Sequence, residues 1–383
     1  MFQQQVIHYS KITFMSLENE NNEINENIFP KNDSENTNPS ANNDFLSTPI
    51  PEVPVYKATI GADFGQSRVD LSLINSKVSQ AREEISKYLI GQFEMVDLLL
   101  IGVFTGGHVL LEGVPGIAKT LTAKVMAKTL SINFSRIQFT PDMMPSDIIG
   151  TSIFNMKTSD FDFKKGPIFT NIALIDEINR APAKTQSALF EVMEERQISY
   201  DGTTYKLDFP FLVIATQNPI EQEGTYRLPE AQLDRFLFKI ILKHPSLEEE
   251  KEILQRFKTN TFIDFYAIKK IFTVSDLKTI QSAIESIKVD DSIVKYIAEI
   301  THETRNHGKI YLGASPRASL SMLKASKAMA ALRARDFVVP DDVQYVAFHV
   351  LNHRIILTPE AEMEGLDAHL IIKDIIKKIE VPR

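Results

Sequence analysis

The sequence predicts an α/β protein: a parallel, helix-flanked sheet domain followed by a smaller all-helical domain. Three observations carry this. The apolar run His108-Val-Leu-Leu-Glu112 leads at once into a glycine-bearing turn and a helical stretch from about Lys119 to Leu130, the opening of a βαβ unit. Two further runs, Ile172–Ile175 and Phe211–Thr216, have the continuous hydrophobicity of strands buried on both faces. After Pro245 the pattern turns to helical periods with no convincing strand.

At 383 residues the chain is long enough for two folded domains and appendages. A formal net charge of −8 gives no global field favouring nucleic acid, and no nucleic-acid partner is expected. The absence of cysteine excludes disulfides, thiolate metal sites and cysteine nucleophiles. Gln3, Gln4, Gln5 and His8 interrupt any apolar core at the start, so no signal peptide is expected. Apolar stretches such as Val96–Val103 contain Asp97 and are too short to span a bilayer. A cytoplasmic enzyme is the expectation.

Residues 1–70 read as a disordered N-terminal tail. From Ser16 to about Gly65 they are rich in Asn, Glu, Ser and Pro and cannot bury enough apolar surface to offset backbone ordering. Met15, directly before this stretch, offers a second start. Folding is expected from Leu71, with Val78, Ile85 and Leu89 and then Phe93, Val96, Leu99, Leu100 and Val103 at helical spacing, stopped by Gly106-Gly107. Asp201-Gly202 marks a two-residue hairpin turn. Residues 71–244 therefore form the sheet domain. Residues 245–383 form the helical one, with a capping box at Ser246–Glu249 and helix starts at Asp290-Asp291, Ser315-Pro316 and Pro340-Asp341. Gly308 is a helix stop.

Gly113-Val114-Pro115-Gly116-Ile117-Ala118-Lys119-Thr120 sits between strand and helix, where a phosphate-binding loop belongs. Small residues let backbone N–H groups approach phosphate, and the helix N-terminus adds a favourable dipole. Lys119 can reach the β- and γ-phosphates, and the Thr120 hydroxyl can ligate Mg²⁺. One methyl group departs from the usual pattern: Ala118 stands at the second glycine position. Further along, Asn171–Ile175 is an apolar strand ending in Asp176 and Glu177. Asp176 can hold the metal shell and Glu177 can polarise the attacking water. Asn218, just beyond another strand, can position water or touch the γ-phosphate.

Together these segments resemble the MoxR family of AAA+ ATPases. The resemblance rests on Leu110–Thr120, Pro141-Asp-Met-Met-Pro-Ser-Asp-Ile-Ile-Gly150 and Asp176-Glu-Ile-Asn-Arg-Ala181. It rests also on Ala215-Thr-Gln-Asn-Pro219, Leu228-Pro-Glu-Ala-Gln-Leu-Asp-Arg-Phe236 and Gly313-Ala-Ser-Pro-Arg-Ala318. The ordered matches run from about Ile90 to Arg354. The family tolerates Ala at the second glycine. Arg227 and Ala334 stand where members often carry Pro and Gly.

The resemblance implies an AAA+ domain with a helical lid, assembled as a self-associating ring that is commonly hexameric and uses ATP and Mg²⁺. It implies that Gly91 and Gln92 join Gly113–Thr120 and Leu121 in holding the nucleotide. Arg235 looks like the arginine finger that reaches a neighbour's ATP, and Arg317 like the sensor-2 arginine, in cis or in trans. Gly150–Gly166 looks like the family's helix-2 insertion, a hairpin carrying Phe154, Phe161 and Phe163. Gln197–Asp208 looks like its insertion before the sensor-1 strand. Each faces either the client or a neighbouring element. Relatives remodel or mature protein complexes, often with a von Willebrand factor A domain partner and sometimes during metal-cofactor insertion. A nucleic-acid motor and a non-hydrolysing scaffold are the alternatives; the acidic balance counts against the first, and Asp176 with Glu177 against the second.

Overall fold

The computed structural model describes residues 70–114, 116–157, 159–218, 226–259 and 264–382. All of these belong to one compact unit, Gly65–Arg383. The expected N-terminal tail, apart from Asp70, lies outside the described residues, and so does Pro115.

Helix α1 (Ser72–Ser86) buries Ile74, Val78, Ala81 and Ile85, spaced along one helical face. Helix α2 (Phe93–Thr105) is buried nearly all round and stops at Gly106, whose φ of +64° only glycine adopts without cost. The sheet domain then alternates strands and helices: β1 (His108–Glu112), α3 (Lys119–Thr129), β2 (Phe134–Gln138), α4 (Pro145–Ile149), and the hairpin β3 (Gly150–Asn155) and β4 (Asp160–Lys165). After β5 (Ile172–Asp176) come a 3₁₀ turn, Ile178–Arg180, and α5 (Ala183–Glu195). A second hairpin, β6 (Gln197–Tyr200) and β7 (Thr203–Lys206), precedes β8 (Leu212–Gln217), α6 (Glu230–Leu233) and β9 (Phe236–Ile241).

Five strands pair in parallel in the order β2-β5-β8-β1-β9, so their carboxyl ends share one edge. The central strands are those legible as apolar runs. The two edge strands are not: β2 is half-exposed and carries Arg136 and Gln138, and β9 is interrupted by Lys239, which pairs with Glu112 on β1 at 2.9 Å.

Past Pro245 the chain is helical: α7 (Leu247–Thr259), α8 (Val274–Glu285) and α9 (Asp291–Asn306) are followed, after a short strand, by α10 (Pro316–Leu332) and α11 (Pro340–Leu351). The Ser246 capping box forms in both directions, at 3.3 and 2.7 Å, and the Asp290 side chain caps α9. One reading needs correction. This region is not free of strands: β10 (Ile310–Leu312) and β11 (Ile356–Leu357) form an antiparallel ladder ahead of α12 (Pro359–Met363) and α13 (Ala368–Lys378). At three and two residues, these strands are too short for side-chain alternation to announce them.

The helical part seals the open edge of β9. Asn352 donates to Lys239 O at 2.9 Å, and His353 meets Phe236 O at 3.1 Å. Arg354 is buried, pairs with Asp234 at 2.7 Å and donates to Phe236 O at 2.7 Å. Backbone groups that an edge strand would otherwise offer to another chain are thereby satisfied.

Candidate active site

The loop between β1 and α3 has the geometry of an anion cradle. Gly116 has φ +87°, and a Cβ there would meet nothing within 4 Å, so the space above the loop is open. Gly113 is more confined: a Cβ there would lie 2.6 Å from Ile117 Cδ1 and 3.1 Å from Leu242 O, so both would have to give way. Ala118, the departure from the usual glycine, is itself left-handed at φ +60°, and its methyl costs about 1 kcal/mol there. Lys119 and Thr120 begin α3 immediately after it, so backbone N–H groups at the helix start point toward the cradle. Val114 packs on the core beneath the loop.

Lys119 is half-buried, and its amine donates to Gly113 O at 2.5 Å. Burial lowers its pKa, opposed by the charges of Asp176, Glu112 and Glu177 around it. Asp176 and Glu177 stand at the carboxyl end of β5, where register sets Asp176 beside Gln138 of β2. The Thr216 hydroxyl accepts the Glu177 N–H at 3.0 Å and donates to Asp176 Oδ1 at 3.1 Å, tying both acids to β8. The second Asp176 oxygen accepts from Arg136 Nε at 2.5 Å. Glu177 turns through φ +57°, and its Oε2 accepts from Gln138 Nε2 at 2.8 Å and lies 2.9 Å from Arg180 Nε. A non-glycine residue held left-handed costs energy, and such strain gathers at functional sites. Asn218 follows β8 directly, half-buried, at this same sheet edge.

Beside the loop lies a cavity of about 560 Å³, walled by Tyr88, Ile90, Ile117, Leu121, Ile253 and Phe257, with Gln92, Lys87, Arg256 and Asp264 as its polar groups. Its size and mostly apolar lining suit a planar heterocycle. Gly91 turns at φ +73° beside Gln92, with Glu249 so close that a Cβ would collide with its carboxylate. Gln92, Gly116–Ala118 and Leu121 line this one space, whereas Gly91, Gly113, Val114, Lys119 and Thr120 do not.

Arg235 and Arg317 lie elsewhere. Arg235 Nη1 donates to Phe190 O at 2.9 Å and to Glu194 Oε2 at 3.4 Å. Arg317 Nη2 donates to Glu194 Oε1 at 3.3 Å. Among the described residues neither pairs with Lys119, Asp176 or Glu177, and neither lines the cavity.

The predicted metal ligands fit one kind of ion. Among the described residues no group of three or more His, Cys, Asp or Glu side chains could hold a metal alone. One hydroxyl, Thr120, and one carboxylate, Asp176, are hard oxygen donors needing phosphate and water to complete the shell, which is how Mg²⁺ is usually held. The hairpins divide their aromatic residues. Phe163 stacks on Tyr205 at 4.6 Å and packs on Tyr200, whereas Ile153, Phe154, Met156 and Phe161 are exposed.

Sequence reading missed Thr216, Gln138, Arg136, Arg180 and Glu194. Thr216 closes an apolar strand, and Arg136 and Gln138 alternate with Ile137 in strand period, but nothing in that pattern says which residues they face across the sheet. Glu194 sits among Glu191 and Glu195 and reads as one more solvated helix charge.

A parallel sheet with a phosphate loop and paired acids at its carboxyl edge, followed by a helical lid, defines an AAA+ ATPase. Residues 108–238 match the family model described as "ATPase family associated with various cellular activities (AAA)", and residues 302–375 match the AAA lid domain. Chaperone MoxR1 of Mycobacterium tuberculosis (strain ATCC 25618 / H37Rv) is 44% identical over 78% of this chain and 81% of its own length. Protein MoxR of Methylorubrum extorquens is 30% identical over 77% of this chain and 91% of its own. YeaC of Bacillus subtilis (strain 168) is 46% identical over 80% of this chain and 95% of its own. The crystal structure of a Cytophaga hutchinsonii protein described as an ATPase superposes with a TM-score of 0.76 at 46% identity, covering 82% of this chain and 97% of that one. The chain belongs to the MoxR family of AAA+ ATPases, and it is a nucleotide-binding, chaperone-like ATPase. No helix among the described residues is long and apolar enough to cross a membrane.

Proposed function

We propose that the chain hydrolyses Mg²⁺-bound ATP as a homo-oligomeric ring, hexameric as the family implies, and that its catalytic groups come from two neighbouring subunits. The observation that carries this reading is the separation of charges. Lys119, Asp176 and Glu177 share the sheet edge, while Arg235 and Arg317 share Glu194. A site that needs all five is completed when one subunit's arginines meet the next subunit's cradle.

Within one subunit, backbone N–H groups of Gly113–Thr120 and the Lys119 amine hold the phosphate oxygens, with Lys119 exchanging its Gly113 carbonyl partner for them. Thr120 and Asp176 would hold Mg²⁺, which would neutralise phosphate charge during transfer. Glu177 accepts a proton from the attacking water, and Asn218 orients that water. The neighbour's Arg235 neutralises charge developing on the γ-phosphoryl group, and Arg317 beside it acts in trans as well. The mostly apolar cavity with Gln92 takes the base.

The work done is chaperone-like remodelling or maturation of a protein complex, with a von Willebrand factor A domain protein as partner, metal-cofactor insertion as one such task, and the cytoplasm as the setting. The exposed Ile153, Phe154, Met156 and Phe161 on the β3–β4 hairpin support contact with an apolar client segment. The division of labour is tested by two substitutions. Lys119→Ala is expected to lose nucleotide binding, because Lys119 meets ground-state phosphate charge. Glu177→Gln is expected to keep binding and lose turnover, because Glu177 acts only as water attacks. Parent-rate hydrolysis by Glu177→Gln would remove Glu177 as the base.

A further inference from the structure

The strand that leads into the phosphate loop ends on a carboxylate that none of the roles above uses. Glu112, directly before Gly113, pairs with Lys239 of β9 at 2.9 Å, and the two side chains are only 16 and 19% exposed. Register sets Lys239 opposite Leu110 of β1, so strand period puts Lys239 and Glu112 on one side of the sheet. The backbone around them is fixed. Glu112 O accepts from Leu242 N at 2.8 Å, Gly113 N donates to Gln217 O at 3.3 Å, and Lys239 O accepts from Asn352 at 2.9 Å. Glu112 also acts on a second cation: its charge reaches the Lys119 amine, as do those of Asp176 and Glu177. Yet Glu112 makes its ion pair with Lys239, and Lys119 donates instead to the neutral carbonyl of Gly113 at 2.5 Å.

We propose that Lys239 is a positioning residue for nucleotide binding: it holds the Glu112 carboxylate, so that the Lys119 amine rests on a neutral carbonyl and passes readily to phosphate. The inference rests on the role given above to Lys119. Its physical basis is competition between two cations for one mostly buried anion. A carboxylate so placed needs a cationic partner, and two ammonium groups drawn to it repel each other. A charge-assisted hydrogen bond is roughly twice as strong as one to a neutral carbonyl. Were Lys119 paired with Glu112, incoming phosphate would have to break the stronger bond; with Lys239 in place it breaks the weaker one. Lys239 suits this task by position. It approaches Glu112 from β9, the edge strand beyond β1 and remote from Asp176 and Glu177 at the end of β5, so its charge acts on Glu112 ahead of them.

The test is a double-variant cycle, read as the affinity of the full chain for a fluorescent ADP analogue in the presence of Mg²⁺. Lys239→Met keeps the bulk of the side chain and removes its charge; binding is expected to weaken about tenfold as Lys119 turns to Glu112. Removing both charges together, Glu112→Gln with Lys239→Met, is expected to return affinity to within about threefold of the parent. Lys239→Arg keeps the charge and is expected to stay within about threefold as well. Urea denaturation checks that each chain is folded, and Lys239→Gln replaces Lys239→Met in the cycle if the latter is not. Parent-like affinity in the neutral single variant overturns the proposal. A loss that the double variant repeats in full also overturns it, since the pair would then be a structural tie alone. Lys119→Ala separates the two levels: if that chain binds the analogue like the parent, the reading of Lys119 fails first and this inference falls with it. If Lys119→Ala loses binding while Lys239→Met does not, the inference alone falls.

Discussion

Arg235 and Arg317, far apart in sequence, donate to opposite oxygens of the Glu194 carboxylate, at 3.4 and 3.3 Å. One anion thus holds in register two cations that belong to different domains of the fold. These contacts are largely solvent-exposed, and such pairs contribute little to stability. Under the proposed function, their value lies in placing two guanidinium groups side by side, where a neighbour's triphosphate meets both.

Because the two arginines are neighbours, their losses should not add. Arg235→Ala and Arg317→Ala are each expected to reduce kcat/KM strongly. The double variant should fall short of the product of the two, as for residues acting on one charge. Steady-state kinetics on assembled protein checks this. Fully multiplicative losses would mean that the arginines act at separate places.

Ala118 offers a test in the stabilising direction. Its φ of +60° strains an alanine but not a glycine. Ala118→Gly should raise stability by about 1 kcal/mol and leave nucleotide affinity intact, as read by urea denaturation and analogue binding. A destabilised variant would show that the methyl group packs usefully.

Buried histidine sets a pH dependence. His108 accepts the Val213 N–H on Nδ1 at 2.9 Å, which leaves Nε2 to donate to Met193 O at 3.0 Å, and burial pushes its pKa down to about 4. The unfolded chain therefore binds more protons than the folded one between about pH 4 and 6.5. The contribution to stability is full above pH 6.5, shrinks as pH falls and is lost by about pH 4, a change on the order of 3 kcal/mol. His353, lowered well below its ordinary value by burial, acts in the same direction. Denaturation midpoints at pH 5 and 7.5 should converge in His108→Gln relative to the parent.

The arrangement of the site was legible where chemistry is concentrated in short segments. The loop at Gly113–Thr120 and the acids at Asp176-Glu177 are each fixed by one strand end, so local pattern sufficed. The partners of those acids were not legible, because Arg136, Gln138 and Thr216 reach them across strands, and only register decides which residues meet. Edge strands β2 and β9 escaped for a related reason. Their polar residues break the apolar run, and their pairing is secured by neighbours, in β9 by Asn352, His353 and Arg354 from the helical part. The roles expected of Arg235 and Arg317 come from family resemblance alone, and the carboxylate they share was not legible.

Arg354 joins the two parts directly beside Arg235. Its guanidinium is buried, pairs with Asp234 and satisfies the carbonyls of Val350 and Phe236 at 2.6 and 2.7 Å. Arg354→Leu strands these partners and is expected to cost about 3–5 kcal/mol in urea denaturation, with activity falling as the segment bearing Arg235 loosens. A loss below about 1 kcal/mol would mean that water replaces the guanidinium.

The central claim is that the neighbour's Arg235 completes the site, and mixing two inactive chains tests it most directly. Arg235→Ala keeps an intact cradle, and Lys119→Ala keeps an intact arginine. Each alone should be nearly inactive, since an arginine delivered to phosphoryl transfer is worth roughly 10³–10⁵-fold. Mixed together and allowed to exchange subunits, they should recover a clear fraction of the parent's ATP hydrolysis. Silence from a mixture that light scattering shows to be assembled, or full activity from Arg235→Ala alone, would contradict the account.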